Sequence, residues 1–322
     1  MSFVSRQKRP GLRLGALASD HVTIVMATYN GAKNIDAQLG SLAAQTHTNW
    51  SLIVSDDGST DDTMQRVARF AAEHPGHRII RLRGPKKGSA MNFLSLLRAA
   101  GNAPFVAFAD QDDVWLPDRL ERGLAVLAAI HGPAVYGGRT IIADAELKPL
   151  RLSPNFSRRP EFRNALVQNI AGGNTMLLNR AALDILQPAS AKVSDLIAHD
   201  WWTYQMVTAV GGRMIWDRRP TVLYRQHGNN QIGANDTITA SMERARNLLS
   251  GKFSQDCTTQ IEALAPHRLK MTNEARASFD AFREPRSSGW QSRLIAFKRA
   301  GLWRQTWRGT AALWIAMFLG KF

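Results

Sequence analysis

Asp110-Gln111-Asp112-Asp113 places three carboxylates within four residues, directly after the apolar run APFVAFAD (103–110). Gathered in a dry cleft they would repel one another, and a hard divalent cation with oxygen ligands and a bound polyphosphate removes that penalty. A helix N-cap, the plainer use, needs one acid rather than three. Asp56-Asp57-Gly58-Ser59 has two readings. It is either a capped strand-to-helix turn, or it holds a carboxylate that accepts from a pyrimidine N3–H or a ribose hydroxyl. Lys86-Lys87-Gly88 opens a predicted helix and offers charge and free backbone N–H groups to a diphosphate, although two solvated lysines would look the same. Asp200, in His199-Asp200-Trp201-Trp202, stands where a helix begins, as a cap or as a site acid. Gly172-Gly173-Asn174 marks a tight turn.

These residues need a scaffold, and the surrounding pattern supplies one. VTIVMAT (22–28), SLIVS (51–55), HRIIRL (77–82) and APFVAFAD are short apolar runs, each followed by turn residues. Between them Ile35, Leu39 and Leu42, then Met64, Val67 and Phe70, then Met91, Leu94 and Leu97 recur at helical spacing. Strands alternating with helices predict a largely parallel sheet covered on both faces. In such sheets ligands sit at the carboxyl ends of the strands. Thr28-Tyr29-Asn30, the two acidic clusters and the lysine loop all fall there, and this shared position is what makes four weak motifs informative. Beyond residue 130 the expected strands are 135–144, 174–179, 211–216 and 221–226, with a helix over 200–210. From 234 onward the spacing is helical.

Of 322 residues 44% are hydrophobic and 21% charged, which excludes wholesale disorder, and the single Cys257 excludes an intrachain disulfide framework. The net charge of +15 asks for an anionic partner. That charge is uneven: residues 285–322 carry seven basic side chains, four tryptophans and no acid. Arginine with tryptophan suits a membrane surface; a helical bundle packed on the catalytic domain or on a second subunit is the second reading, and a nucleic-acid patch the third. The longest apolar run, 311–320, falls short of the roughly 20 residues a bilayer span needs. No secretory signal is legible at the start, so the expected location is cytoplasmic, peripheral at the inner face of the cell membrane. The division expected is a basic tail over 1–20, a catalytic domain over 21–232 and a helical region over 233–322.

VTIVMATYNGAKNI, VSDDGSTDDT and FADQDDVWLP, with AGGNTMLLNR and HDWWTYQMVTAVGG, resemble glycosyltransferase family 2 on the GT-A fold over residues 21–232. GPKKGSAMNF, ADQDDVWLPDRL, HDWW and YRQHGNNQIG look further like bacterial rhamnosyltransferases of surface polysaccharide. The resemblance implies a Rossmann-like α/β domain and an inverting, metal-dependent transfer from a nucleotide-sugar donor to a saccharide acceptor, with L-rhamnose from dTDP-L-rhamnose as the leading donor. It implies that Thr28, Tyr29, Asn30 and Asp56 line the nucleoside pocket, with Asp57 beside them. Lys86, Lys87, Asp110, Gln111 and Asp113 would serve the donor. Asp112 would hold Mg²⁺ or Mn²⁺ together with His227, and Arg225 would lie nearby. Asp200 would be the base, and His199 departs from the acid usual before it. Trp115, Trp201, Trp202, Gly173, Asn174 and His199 would line the acceptor side, the tryptophans as an apolar platform or simply as core. Acceptors on a lipid diphosphate carrier would bring the chain to a membrane, and a homo-oligomer stays open. A UDP-hexose donor, a sugar nucleotidyltransferase and a non-catalytic basic membrane protein are the rival readings. A nucleic-acid partner has no use for acid clusters at strand ends.

Overall fold

The structure is a computed structural model describing residues 20–226, 251–283 and 290–321. His227 and the expected boundary near 232 lie outside the described residues, as does the basic tail up to residue 19.

A seven-stranded sheet runs in the order β10-β6-β9-β4-β1-β2-β3: β10 (Arg213–Asp217), β6 (Ala134–Gly138), β9 (Leu177–Asn179), β4 (Phe105–Asp110), β1 (Val22–Thr28), β2 (Trp50–Asp56) and β3 (Ile79–Arg83). Neighbouring pairs are parallel except at β9, which runs antiparallel to both β4 and β6. Every residue of β1 is buried because helices cover both faces. Val22, Ile24 and Met26 pack with Ile35 and Leu39 of α1 (Ile35–Ala43), Val67 of α2 (Thr63–Glu73) and Leu120 of α4 (Arg119–Leu127). Val25 and Ala27 point the other way, to Phe93 and Leu97 of α3 (Ser89–Ala99), Leu183 of α6 (Arg180–Ser190) and Trp202 of α7 (His199–Ala209). Alternate residues thus fill two apolar layers, as strand geometry requires.

The sequence reads 135–144 as one strand, but the chain breaks it at Arg139-Thr140. β6 stays in the large sheet, and β7 (Ile141–Ala143) joins a second sheet of order β5-β11-β7-β8, with β5 (Val114–Trp115), β11 (Val222–Arg225) and β8 (Pro149–Leu152). The Arg139 guanidinium and the Thr140 N–H both donate to Ser153 and fix the corner, at 2.5–2.9 Å.

The carboxy-terminal region is helical, as expected. α8 (Lys252–Leu264), α9 (Asn273–Arg283), α10 (Trp290–Ala300) and α11 (Trp307–Phe318) place Cys257, Ile261, Phe279, Phe297 and Leu313 in the same apolar layer as α3, α6 and α7. Among the described residues no helix is long and apolar enough to cross a membrane.

Candidate active site

Strand register gathers the first group. Thr28 pairs with Asp56 and Ala27 with Asp110 across adjacent parallel strands, so Asp56 and Asp110 flank the end of β1, roughly two strand spacings or ~10 Å apart. Thr28 Oγ1 donates to Asp56 Oδ1 at 3.2 Å, and the same carboxylate accepts from the Ser59 hydroxyl at 2.5 Å and the Ser59 N–H at 3.0 Å. Asn30, at φ 47°, reaches across to this loop. Its N–H donates to Ser59 Oγ at 2.9 Å and its Oδ1 accepts from Thr60 N–H at 2.8 Å. Tyr29 stands 58% exposed at the mouth. Its backbone N–H and C=O are both taken by the Gln111 amide, at 3.0 and 3.1 Å. Gln111 therefore clasps the β1 loop to the β4 loop.

Asp57 bonds to a different loop from Asp56. Its carboxylate accepts the Lys86 N–H at 2.7 Å and the Gly88 N–H at 2.8 Å, so it fastens the lysine loop to β2. Lys86 is thereby held at φ 57°, and both Lys86 and Lys87 remain exposed beside the first turn of α3.

The second group is organised by a 3-10 turn, Gly173–Thr175. Asp200, in the first turn of α7, accepts from the Gly173 N–H at 2.9 Å. Asn174 Nδ2 donates to Asp113 Oδ2 at 2.5 Å. One short turn therefore joins the acid of α7 to the acidic cluster after β4. Beneath it Arg119 is buried, donating to the Asn174 carbonyl at 2.7 and 3.1 Å and to the Met176 carbonyl at 3.2 Å, with its guanidinium 3.5 Å from the Trp115 ring centroid. Burial pulls the Arg119 pKa down to about 9, opposed by Tyr136, Asp113 and Asp110. Burial also holds the Asp110 carboxyl well above the usual carboxylate range, reinforced by Asp113, Asp112 and Asp200, while Arg119 opposes. Asp113 rises to about 7 through burial and the Asp112 charge, against the bonds from Asn174 and the Arg225 N–H. Sequence reasoning missed Arg119. The signal was the first cation after three acids, hidden inside what reads as a helix start.

Several expected ligand contacts are closed. Asp113 is fully buried with one oxygen on Asn174 and the other on the Arg225 N–H at 3.1 Å, so it braces the turn and does not reach a sugar. Asn174 is buried with it. Trp115, Trp201 and Trp202 are 2%, 6% and 0% exposed and belong to the core, so they form no open platform for a ring. His199 is buried as well, stacked on Phe93 with centroids 3.9 Å apart and edge-on to Phe108. A Cβ on Gly173 would stand 2.4 Å from His199 Nε2, which explains the glycine. His199 thus packs directly beneath the turn that holds Asp200.

A divalent cation fits the chemistry of the cluster, since the carboxylates raise one another's proton affinity and a hard cation would relieve the repulsion. Among the described residues no group of three or more His, Cys, Asp or Glu side chains encloses a metal. Of these carboxylates the half-buried Asp112 would supply the protein's share of the coordination.

Residues 23–186, more than half of the chain, match the description Glycosyl transferase family 2. The chain belongs to that family. The dTDP-rhamnosyl transferase RfbG of Shigella flexneri is 29% identical over 248 residues, spanning 74% of this chain and 84% of RfbG. A family relative of Escherichia coli, the UDP-Glc:alpha-D-GlcNAc-diphosphoundecaprenol beta-1,3-glucosyltransferase WfgD, is 29% identical over 51% of this chain and 62% of its own. The fold is that of GT-A transferases. TarS of S. aureus in complex with UDP superposes with a TM-score of 0.51 at 16% identity, covering 87% of this chain and 89% of the other. The mannosyltransferase PcManGT of Pyrobaculum calidifontis, in complex with GDP-Man and Mn²⁺, gives 0.50 at 18% identity over 93% and 86%.

Proposed function

We propose that this chain is an inverting glycosyltransferase that moves L-rhamnose from dTDP-L-rhamnose to a saccharide acceptor of surface-polysaccharide synthesis, working at the inner face of the cell membrane. The observation that carries it is the Gly173–Thr175 turn, which ties Asp200 to the acidic cluster at the end of β4. The likeness to RfbG supports rhamnose, and the name of WfgD supports an acceptor on a lipid diphosphate.

The nucleoside would lie on Thr28, Tyr29 and Asp56, at the mouth between the β1 and β2 loops. Lys86, Lys87 and the first turn of α3 present positive charge and N–H groups to the diphosphate. Mg²⁺ or Mn²⁺, held through Asp112 and His227, would neutralise charge on the departing diphosphate. Asp200 takes the proton of the acceptor hydroxyl as the new C–O bond forms on the opposite face of the sugar. Its oxygens already accept from the Gly173 and Trp201 N–H groups at 2.9 and 2.7 Å, which fixes its rotamer. Water exclusion and alignment of the alcohol supply much of the remaining rate.

Two measurements test this. Asp200→Asn should lower kcat by roughly 10²–10⁴-fold while nucleotide binding survives, and near-normal turnover would remove Asp200 from the role. With the wild-type enzyme, dTDP release from dTDP-L-rhamnose should require Mg²⁺ or Mn²⁺ and fail in EDTA. Preferred turnover of a UDP-hexose would reassign the donor, and release of pyrophosphate would identify a nucleotidyltransferase.

A further inference from the structure

α10 and α11 form an antiparallel pair. Trp290 at the start of one helix meets Phe318 at the end of the other, with centroids 6.3 Å apart, and Phe297 meets Trp314 at 4.6 Å. Phe297, Leu313 and Met317 point inward to the common core. The outward faces are also apolar. Trp307, Ile315 and Phe318 are 76%, 59% and 63% exposed, and Leu319, Ile295 and Trp290 lie in the open beside them. On α11 the positions 307, 311, 315 and 318 fall on one stripe at helical spacing, running the length of the helix. A soluble surface seldom leaves such a stripe bare without a use for it.

Charge says what the use is. Lys298, Arg299, Arg308 and Lys321 are exposed on the same two helices and the segment that follows, and residues 285–322 contain no acid. Three acids on the neighbouring helices are already engaged: Glu262 by Arg283 at 3.2 Å, Glu274 by Arg163 at 3.0 Å and Asp280 by Arg268. Indoles and aliphatic side chains flanked by cations match the boundary of an anionic bilayer, where rings sit among headgroups and each cation adds attraction. α11 is 12 residues long, ~18 Å at helical rise, so it lies along the surface and does not span.

We propose that the outward faces of α10 and α11 dock on an anionic phospholipid surface, with Trp307, Ile315 and Phe318 inserted and Lys298, Arg308 and Lys321 set against lipid phosphates. This rests on the reading above that the acceptor is presented at a membrane, and it names the surface that meets the lipid.

The test uses the full chain sedimented with vesicles of phosphatidylcholine, with and without phosphatidylglycerol, at low and high salt. Wild type should pellet with the anionic vesicles, less so at high salt. Ile315→Ser with Phe318→Ser should reduce partitioning roughly tenfold or more, and Lys298→Glu with Arg308→Glu by a similar factor. Leu269→Ser, at an exposed apolar position away from the pair, should change nothing. All variants should keep the wild-type melting temperature and the same thermal shift with dTDP and Mn²⁺. Wild type remaining in the supernatant, or variants pelleting like wild type, would overturn the proposal. So would a concentration-dependent dimer lost in the serine variant without any vesicle binding, since the face would then serve a second copy of the chain. Loss of the nucleotide response in every protein, with vesicle binding intact, would instead sink the transferase reading and leave the docking face standing.

Discussion

Asp57 and His199 show how a residue of the right type next to a site can act by position alone. Asp57 spends both oxygens on the N–H groups of Lys86 and Gly88. Asp57→Ala should therefore release the lysine loop, raising KM for the donor roughly tenfold, a loss of ~1.4 kcal/mol, while kcat changes little. A fall in kcat at unchanged KM would give Asp57 a chemical role instead. His199 makes a pH argument. Burial pushes its pKa down from 6.5 to about 4, with Asp200 opposing. The unfolded chain takes up this proton below about 6.5 and the folded chain resists it until about 4, so stability is full above 6.5 and is lost as pH falls through that window, by at most ~3 kcal/mol. His199→Gln should flatten the decline in Tm between about pH 6.5 and 4. An unchanged acid slope would show that other groups carry it. The sequence made the types of these residues legible but not their partners, because a carboxylate that caps a loop and one that meets a ligand have the same letter and the same neighbours.

At the scale of elements, the strand ends were legible and the bends between them were not. β1, β2, β3 and β4 are apolar runs closed by turn residues, and the structure puts them where the alternation predicts. The division of 135–144 between two sheets depends on Ser153, a residue outside the run, and local pattern cannot show it. The antiparallel placing of β9 is equally non-local, yet it carries the Gly173–Thr175 turn to β4 and so assembles the site. Gly173→Ala should test that assembly, because its methyl group would meet His199 Nε2 at 2.4 Å. Displacing the histidine or the turn should cost ~1–3 kcal/mol and lower kcat together with Tm. Wild-type stability in this variant would mean the turn has room to shift. On the other side of α7, Gln260 of α8 accepts from the Ile197 and Ala198 N–H groups at 3.0 and 3.3 Å, steadying the approach to Asp200 from the carboxy-terminal region.

At the scale of the whole molecule, the segment that composition marks off as a separate basic region shares one apolar layer with the sheet. Cys257, Ile261 and Phe279 cover α7 and its neighbours, and Thr272 N–H donates to the Ala209 carbonyl at 2.9 Å. Calorimetry of the full chain should accordingly show a single cooperative transition. A chain cut after residue 226 should aggregate or lose its near-ultraviolet circular dichroism, because the face of α7 would be bared. A soluble, nucleotide-binding fragment would show that the sheet stands alone. Composition announced the helices and their charge. It was silent on their packing, because an amphipathic helix has the same spacing whether its inner face meets this sheet or another chain.

Asp56 and Asp57 are joined by one peptide unit, yet the first carboxylate holds Ser59 of its own loop and Thr28 at the end of β1, while the second crosses to the lysine loop on the other side. Two adjacent residues at the end of one strand thus tie together the loops on either side of it. Under the proposed function, loops tied in this way would favour donors whose nucleoside and phosphates are set at one separation over molecules cut short.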